Sequence, residues 1–327
     1  MKQFRLQQHV CPKCHSKLVE FQNTIRSDSG EIESGAVVCR DCGSTFPIIN
    51  GLPRFVPEDN YADSFGFQWN RHARTQLDSH SGRSISHDRL WAALGGKVDL
   101  HGLRVLEAGS GAGRFTEVLV ASGADLVTFD YSSAVDANAS NLVPSPTLHL
   151  FQGDIFNIPL EEKSFDIVIC LGVIQHTPDP QAAFISLAKY VRPGGKLIID
   201  SYCKNIYSIF SWKYWLRPIT MRMRKETLYR LIEIVTPPLV PVAKWLRIIA
   251  GRVGARLVPI VEYSHLGLSP ELNIQWAILD TFDMYSPAHD HPQTLAAVNR
   301  WFTDQGFEEL DIRRGLNGIV GYGRRPL

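Results

Sequence analysis

The sequence predicts an α/β fold: a mostly parallel seven-stranded sheet with an antiparallel C-terminal strand pair, a small cysteine-containing N-terminal unit and a helical insertion. Strand-like apolar runs alternate with helical stretches from residue 103 onward, which is typical of a parallel sheet covered by helices. Four of the six cysteines lie in two close pairs within the first 42 residues. A chain of 327 residues has room for two units, which we expect at residues 1–57 and 58–327.

Five apolar runs are the candidates for parallel strands: residues 103–107, 125–129, 147–152, 165–171 and 196–202. Each is followed by a segment long enough for a crossover helix. Two further runs, residues 307–313 and 318–324, are joined by a link too short for a crossover, so this pair is predicted to be antiparallel.

The composition is that of an ordinary globular protein, with 44% hydrophobic and 20% charged residues. The net charge of +1 gives no global reason to expect nucleic acid or an acidic membrane as partner. The first ten residues lack the apolar stretch of a signal peptide, and no window reaches the roughly 20 unbroken apolar residues of a spanning helix. We therefore expect a soluble, cytoplasmic protein.

The two cysteine pairs have the spacing of a zinc site. Twenty-four residues separate two Cys-x-x-Cys knuckles, which can supply four thiolates to one tetrahedral ion: Cys11, Cys14, Cys39 and Cys42. A unit of about 55 residues buries too little apolar surface to fold securely alone, so the zinc is expected to be structural. A redox dithiol is the alternative interpretation of the cysteine pairs. His9 and His15 flank the first knuckle and are less favoured candidates for a zinc ligand.

The knuckles, together with the Phe-Pro-Ile-Ile-Asn-Gly-Leu-Pro segment at residues 46–53, resemble the zinc-ribbon family that includes the activator subunit of tRNA, rRNA and release-factor methyltransferases. In that family the ribbon packs on a catalytic partner and stabilises it. The resemblance implies that here the ribbon is fused to its partner in one chain.

A glycine-rich turn follows the first strand of the sheet. The strand ends in Glu107, and the turn reads Gly109-x-Gly111-x-Gly113 before a helix begins. Glycines let the backbone turn sharply and approach a ligand closely. Dinucleotide-binding proteins use Gly-x-Gly-x-x-Gly, whereas this chain has Arg114 at the position of their third glycine.

Carboxylates follow the next two strands. Asp130 ends the second strand, and Asp154-Ile155 follows the third. A carboxylate at a strand end can accept both hydroxyls of a ribose. Each aspartate taken alone is also explained as a helix cap or a turn residue.

The loop with these acids resembles the first motif of class I S-adenosylmethionine-dependent methyltransferases, which have a Rossmann-like domain. The resemblance implies that Glu107 engages the methionine ammonium, Gly109 contacts it through the backbone, and Asp130 binds the ribose. It also implies that Asp154 binds the adenine amino group. The remaining cofactor-binding positions that it implies in this part of the chain are Gly111, Gly113, Ile155 and Leu171.

The fourth strand leads into residues 171–179, Leu-Gly-Val-Ile-Gln-His-Thr-Pro-Asp, which resemble the methyltransferases of small-molecule and lipid-quinone biosynthesis. This segment places His176 beside the expected sulfonium. A histidine of near-neutral pKa can remove a proton from an acceptor. His176 is therefore a candidate base, although it can equally seal the cofactor pocket.

Two further segments carry candidate site residues. Gln68, Trp69 and Arg71 precede the sheet and are expected to close the pocket or bind the methionine carboxylate, unless they form an aromatic helix face packed between ribbon and core. Near the C-terminus, Tyr285 and His289 are candidates for the acceptor pocket, together with His291. A metal at His289 and His291 has little support because no third partner is evident.

A helical lid is predicted at about residues 204–265. Residues 204–256 contain 11 basic and 2 acidic residues, with six Trp and Tyr residues interleaved. Such a lid suits an apolar or anionic substrate, a membrane surface or RNA, and it also suits a packed helix whose charges face water.

These observations together predict S-adenosylmethionine-dependent methyl transfer to oxygen or carbon of a small hydrophobic metabolite, with structural zinc in the ribbon. One alternative is a methyltransferase that acts on RNA or on a translation protein. The other is a non-catalytic binding or scaffold protein that retains the cofactor fold.

Overall fold

The computed structural model describes residues 9–17, 20–28, 30–57, 60–142, 145–204 and 211–327. Its N-terminal part is a four-stranded antiparallel sheet in the order β1-β2-β3-β4. These strands are β1 (Glu20–Arg26), β2 (Ile32–Val38), β3 (Thr45–Ile49) and β4 (Leu52–Pro53). This sheet and the two cysteine knuckles form the ribbon.

A second sheet forms the body of the molecule. Its seven strands are β5 (Arg104–Ala108), β6 (Asp125–Asp130), β7 (Leu148–Gln152), β8 (Phe165–Cys170), β9 (Val191–Ser201), β10 (Glu308–Gly315) and β11 (Gly318–Arg324). They are ordered β10-β11-β9-β8-β5-β6-β7. The five strands β5 to β9 are parallel to their neighbours, whereas β11 pairs antiparallel with both β9 and β10.

The predicted sheet is therefore confirmed in strand number, direction and C-terminal pair. Most strand ends agree with the prediction to within two residues, but β9 begins at Val191, five residues earlier than expected. The apolar run that marks a strand in the sequence begins only at Leu197, because the five residues between Val191 and Leu197 are Arg, Pro, Gly, Gly and Lys.

Ten α-helices flank the second sheet in the part of the chain that the structure describes. They are α1 (Asp63–Arg71), α2 (Asp78–Ser81), α3 (Ile85–Ala93), α4 (Arg114–Ala121), α5 (Ala134–Asn141), α6 (Pro180–Ala188), α7 (Trp212–Thr220), α8 (Lys225–Ala255), α9 (Pro270–Tyr285) and α10 (Leu295–Asp304). Several begin at side-chain caps. The Asp179 carboxylate accepts from the backbone N–H of Ala182, and the Thr294 hydroxyl accepts from that of Ala297.

The ribbon packs against β7, the edge strand of the large sheet. The backbone N–H of Phe55 donates to the Gln152 carbonyl at 2.9 Å, which continues the sheet by one bridge. The Arg54 guanidinium pairs with Asp136 at 2.6 Å and donates to the Gln152 side chain at 3.2 Å. Phe55 also packs edge-on against buried Phe151. The ribbon thus shares its hydrophobic core with the sheet and shields an otherwise open edge.

The segment predicted as a lid contains α7 and α8, which pack on α9, and it keeps the name lid below. Buried Leu228, Ile232, Val240 and Ala243 lie on the inward side of α8. The helical path of α8 is interrupted at Ala250, where φ and ψ are −127° and 21°. By length and composition α8 is apolar enough to cross a membrane, and 17% of its most apolar 18-residue window is buried. Charged residues, among them Arg230, Lys244 and Arg247, interrupt α8, so it does not contain the roughly 20 unbroken apolar residues named as the threshold in the sequence.

Candidate active site

A cavity lies at the carboxyl ends of the parallel strands. From β5 the chain runs outward to β6 and β7 and then crosses back to β8 on the other side of β5. Such a reversal leaves a crevice between the two strands, where α/β proteins bind ligands. The cavity is lined by the glycine turn after β5, by segments after β6, β7, β8 and β9, and by residues of α1, α3, α4 and α9.

Two of the loop glycines cannot carry a side chain. Gly109 has a φ of 82°, and a Cβ there would lie 2.2 Å from Val173 Cγ2. Gly113 has a φ of 97°, and a Cβ there would lie 2.5 Å from Asn138 Oδ1. The turn is consequently restricted to glycine by both backbone conformation and space. Gly109 lines the cavity, whereas Gly113 faces the neighbouring helix α5.

Glu107 is buried directly beneath the loop. One carboxylate oxygen accepts hydrogen bonds from Thr116 at 2.6 Å and Thr128 at 2.8 Å. Its other oxygen and the Ser110 hydroxyl are buried without a hydrogen-bond partner among the described residues. Burial raises the pKa of Glu107 to about 7. A bound cation or donor group would satisfy these two atoms, which is the property a methionine ammonium requires.

Asp130 lines the cavity at the end of β6, where its carboxylate is held by the backbone. One oxygen accepts from Gly111 N–H at 2.8 Å, and the other accepts from the backbone and the hydroxyl of Ser132 at 2.8 and 2.7 Å. Burial raises its pKa. The indole of Trp69 covers this region, since a Cβ on Gly111 would lie 3.4 Å from the Trp69 ring. The fixed carboxylate retains further acceptor capacity toward the cavity.

Aromatic and aliphatic side chains form the wall beyond Asp130. Tyr61 and Tyr131 pack with ring centroids 4.8 Å apart, and Phe65 and Ile155 line the same cavity. Asp154 is half-buried, and its carboxylate accepts from the backbone N–H of Phe156 at 2.9 Å. The residue that reaches the cavity from this turn is therefore Ile155, while Asp154 stabilises the turn.

His176 lies in a 3-10 helix (Ile174–His176) after β8 and is 6% exposed. Its Nδ1 is 3.1 Å from the carbonyl oxygen of His289. Because a carbonyl only accepts, Nδ1 carries the proton in this contact, and Nε2 of the neutral ring is an acceptor. Burial lowers the pKa of His176 despite the nearby Asp283 carboxylate, so the ring is neutral at neutral pH.

Polar residues from distant segments complete the cavity wall. The Arg89 guanidinium pairs with the buried Asp200 carboxylate at 2.7 Å. The Tyr202 hydroxyl donates to Asp283 at 3.2 Å. Arg89, Tyr202 and Asp283 all line the cavity, so an ionic group and a polar pair face the place where an acceptor would enter.

A second buried polar group lies beside α4. Asp280 accepts from Gln76 Nε2 at 3.1 Å and from the Tyr263 hydroxyl, and burial raises its pKa to about 6. Arg114 donates to the Gln76 side-chain oxygen. Gln76, Arg114 and Asp280 reach the cavity wall, so Arg114 has a polar role at the position where dinucleotide-binding loops carry glycine.

Arg71 and Tyr285, two of the expected site residues, lie away from the cavity. Arg71 stacks on the rings of Phe67 and Tyr229, with centroid distances of 4.5 and 5.1 Å, on the lid side of α1. Tyr285 is buried, and its hydroxyl donates to the Pro259 carbonyl at 2.9 Å. Arg71 and Tyr285 are absent from the described cavity wall, and they join the lid to the body instead.

His289 contacts the cavity residue His176 through its backbone carbonyl and not through its ring. Its carbonyl receives the His176 hydrogen bond, and its ring packs edge-on against Tyr61 with a centroid distance of 5.3 Å. The His289 and His291 rings are stacked at 5.8 Å. Among the described residues, the grouping of side chains suited to a metal ion lies in the ribbon and does not include either histidine.

The four knuckle cysteines converge on one point. Their sulfur atoms all lie within 4.8 Å of one another, with 3.6 Å between Cys11 and Cys42 and 3.5 Å between Cys14 and Cys39. A tetrahedral ion with zinc–sulfur bonds of about 2.3 Å separates its ligands by about 3.8 Å. The cluster therefore fits a structural zinc ion held by four thiolates, as the spacing predicts.

Family models match both parts of the chain. A model described as "Methyltransferase domain" matches residues 106–199, and one described as "Trm112p-like protein" matches residues 10–51. The resemblances to S-adenosylmethionine-dependent methyltransferases and to the activator zinc ribbons are confirmed.

The chain is also similar to individual curated proteins over part of its length. The ubiquinone biosynthesis O-methyltransferase of Coxiella burnetii (strain RSA 493 / Nine Mile phase I) is 31% identical over 124 residues, which cover 36% of this chain and 53% of that protein. The enzyme of the same name from Aromatoleum aromaticum is 30% identical over 132 residues, with the same coverage. The chain thus spans about half the length of the curated relatives it matches.

Solved structures resemble the chain more distantly. Magnesium protoporphyrin IX methyltransferase from Synechocystis PCC 6803 with bound SAH has 17% identity and a TM-score of 0.44, covering 81% of this chain and 96% of that one. A complex of the Haloferax volcanii Trm112 methyltransferase activator with a methyltransferase has 15% identity and a TM-score of 0.47, covering 81% and 99%.

Sequence reasoning missed the polar wall formed by Arg89, Tyr202 and Asp283. Arg89 and Tyr202 do not belong to a recognisable sequence motif. Asp283 lies in the same segment as the predicted candidates Tyr285 and His289. The available signal was the placement of Asp280 and Asp283 three residues apart, which puts both carboxylates on one side of a helix.

Proposed function

We propose that the chain binds S-adenosylmethionine in this cavity and transfers its methyl group to oxygen or carbon of a small hydrophobic metabolite. The observation that carries the proposal is the convergence of the glycine loop, Asp130, Ile155 and His176 on one cavity at the switch point of the sheet. When bound, S-adenosylmethionine supplies an electrophilic methyl group on a sulfonium.

The cofactor end of the cavity is assigned from the groups that lack partners or retain acceptor capacity. Glu107 and Ser110 present buried atoms suited to the methionine amino group. Asp130 is positioned to accept from ribose hydroxyls, and Tyr131 and Ile155 offer flat and aliphatic surfaces for adenine. Under this proposal Asp154 acts by shaping the turn that carries Ile155.

His176 is the proposed general base. With Nδ1 donating to the His289 carbonyl, Nε2 can accept a proton from an acidic hydroxyl or an activated carbon of the acceptor. The loss of that proton to Nε2 makes the acceptor oxygen or carbon a stronger nucleophile for an in-line attack on the methyl group. As the new bond to methyl forms, the bond from methyl to the sulfonium sulfur breaks, and S-adenosylhomocysteine leaves as a neutral thioether. The alternative role, sealing the pocket, makes no use of the acceptor lone pair on Nε2.

The acceptor is proposed to be small and largely hydrophobic with one polar group. Leu171, Val173 and Phe65 give the cavity apolar surface, while Arg89 and the pair of Tyr202 and Asp283 lie where a polar substituent can be oriented. The names of the curated relatives, which act in ubiquinone biosynthesis, agree with an acceptor of this class.

The proposal also assigns roles to the two parts of the chain. Residues 1–57 act as a zinc ribbon that stabilises the body, and residues 58–327 carry the transferase chemistry. We propose a cytoplasmic location because all six cysteines are free thiols and four of them are arranged for metal, which suits a reducing compartment.

The test is incubation of the zinc-loaded full chain with S-adenosylmethionine that carries a labelled methyl group, together with fractionated cell extract. Label in a small molecule extractable into organic solvent is the expected result. Label confined to RNA or to protein would establish the rival substrate classes. An empty calorimetric titration with S-adenosylmethionine would favour the non-catalytic scaffold.

A further inference from the structure

The outer surface of the lid is apolar. Of the eighteen large hydrophobic side chains that are exposed in the described part of the chain, fourteen lie between residues 212 and 257. We call this surface the lid face. Its eight most exposed members, each between 61% and 75% exposed, are Trp215, Ile219, Ile234, Trp245, Ile248, Ile249, Val253 and Leu257.

These side chains follow one side of α8. Ile234, Val242, Trp245 and Ile249 recur at intervals of three, four or eight residues before the interruption at Ala250, which places them on a single stripe of the helix. The opposite side of α8 is buried against α9. The helix is therefore apolar on two sides, although packing within the chain requires only one of them.

The lid face continues from α8 onto α7. The indole N–H of Trp212 donates to the Leu257 carbonyl at 3.0 Å, which brings the start of α7 to the end of α8. Arg217 ties α7 to the body by donating to the Pro287 carbonyl at 2.7 Å. The two helices thus present their exposed apolar side chains from one rigidly attached element.

Basic side chains accompany this apolar surface. Arg222, Arg230, Lys244, Arg252 and Arg256 are exposed, whereas the acidic residues of α7 and α8 are confined to two glutamates. Tryptophan and arginine beside an apolar stripe are typical of helices that lie at the interface of a membrane. The excess of positive charge is complementary to anionic lipid headgroups.

We propose that the lid face docks on the surface of an anionic lipid bilayer, with α8 lying along the interface. One face of α8 is covered by α9, and Lys244, Arg247 and Arg252 interrupt its length, so the helix is suited to partial immersion and not to spanning. The proposal goes beyond the methyl transfer proposed above and stands independently of it.

A second copy of the chain fits the lid face less well. Symmetric pairing would bring the same surface of two molecules together, and so would oppose Arg252 and Arg256 of one copy to like charges of the other. An anionic bilayer offers negatively charged headgroups to the basic side chains and an apolar interior to the exposed hydrophobic side chains, so it is complementary to both parts of the lid face.

The test is flotation of the full chain with vesicles of phosphatidylcholine alone and with added phosphatidylglycerol. We expect the protein to float with the anionic vesicles and to bind the neutral ones weakly. The vesicle-bound fraction should fall several-fold when salt rises from about 0.1 M to about 0.5 M. Trp fluorescence should shift to the blue on binding, because Trp215 and Trp245 leave water.

The double variant Ile234→Glu and Ile248→Glu should reduce partitioning onto anionic vesicles by about tenfold or more. Leu316→Glu is the matched control, since Leu316 is 75% exposed like Ile248 but lies in the hairpin between β10 and β11. Equal vesicle binding by wild type and double variant would overturn the proposal. The proposal would also be overturned if the wild type did not bind vesicles and instead formed a concentration-dependent dimer or bound RNA, and if the double variant abolished that dimer or RNA binding. Neither readout involves S-adenosylmethionine, so failure here is distinguishable from failure of the proposed methyl transfer.

Discussion

The ribbon and the lid are both additions to the same sheet, yet they place their apolar side chains in opposite ways. In the ribbon Val37 and Leu52 are fully buried, and Phe46 packs on Phe55 at the edge of the sheet. In the lid Ile248 and Ile234 remain more than 70% exposed. The apolar side chains of the ribbon are used within the chain, whereas those of the outer lid are free to meet the bilayer surface proposed above.

The two additions also reach different parts of the cavity. The ribbon bridges to Gln152, two residues before Asp154, and so supports the turn at the proposed cofactor end. The lid packs on α9, which carries Asp280 and Asp283 at the proposed acceptor end. Damage to the ribbon should therefore affect stability and cofactor binding, while changes on the outer lid should affect neither.

Loss of the zinc site should have the largest effect. We expect Cys39→Ser to lower the free energy of unfolding by about 3 kcal/mol or more, because the buried ligand anchors a ribbon that shares its core with β7. Thermal or denaturant unfolding of zinc-loaded protein measures this. Cys203→Ser is the control, since Cys203 lies outside the cluster. Equal destabilisation by the two variants would contradict a structural role for the metal.

Removal of the proposed base should come next. We expect His176→Ala to reduce kcat about 100-fold while the Kd for S-adenosylmethionine stays within a factor of about two. His291→Ala, in the neighbouring exposed segment, is the control. If the histidine only seals the pocket, cofactor affinity should fall along with the rate.

The pH dependence of the same reaction sharpens this assignment. Burial lowers the pKa of His176 below its usual 6.5, so the ring is neutral and able to accept a proton at pH 7. Activity should be level near neutral pH and fall as the pH drops through that lowered pKa. A wild-type profile that lacks this acid limb, or a His176→Ala profile that keeps it, would contradict the role of base.

The ribose carboxylate should have a smaller effect on affinity. We expect Asp130→Asn to weaken S-adenosylmethionine binding by about tenfold, because the amide loses charge and one acceptor position. Titration calorimetry measures the change, with Asp304→Asn at the exposed end of α10 as the control. Unchanged affinity in Asp130→Asn would contradict the proposal that this carboxylate binds the ribose.

The smallest effect should come from the lid. Ile248→Glu should change the free energy of unfolding by less than about 0.5 kcal/mol, because the side chain is already 75% exposed. The same substitution at Ile48 of the ribbon, which is 3% exposed, should cost more than about 3 kcal/mol. Comparable losses at the two positions would show that the lid face is covered in the native protein.

Local patterns in the sequence were sufficient to predict the sheet and the metal site. Apolar runs located every strand of the seven-stranded sheet, and the spacing of Cys11 and Cys14 from Cys39 and Cys42 was enough to predict the cluster. The glycine loop was likewise predictable, since Gly109 and Gly113 occupy positions that exclude any Cβ. These features depend on residues that are close in the chain or on a repeated spacing.

The polar groups of the cavity wall depend instead on contacts between segments that are far apart in the sequence. Gln76 meets Asp280 across 204 residues, and Arg89 meets Asp200 across 111. Arg71 and Tyr285 were expected at the cavity, but the packing of the lid on α1 and α9 turns them away from it. Nothing in their neighbouring residues indicates which way a side chain will face once such elements pack.

The central claim is that the cavity at the end of β5 holds S-adenosylmethionine between the glycine loop and the acids of the neighbouring strands. A crystal structure of the zinc-loaded chain with S-adenosylhomocysteine tests it most directly. We predict the ribose hydroxyls within hydrogen-bond distance of the Asp130 carboxylate, with the amino end over Glu107 and the adenine against Ile155. An empty cavity at saturating ligand, with the nucleoside bound elsewhere or not at all, would contradict the claim.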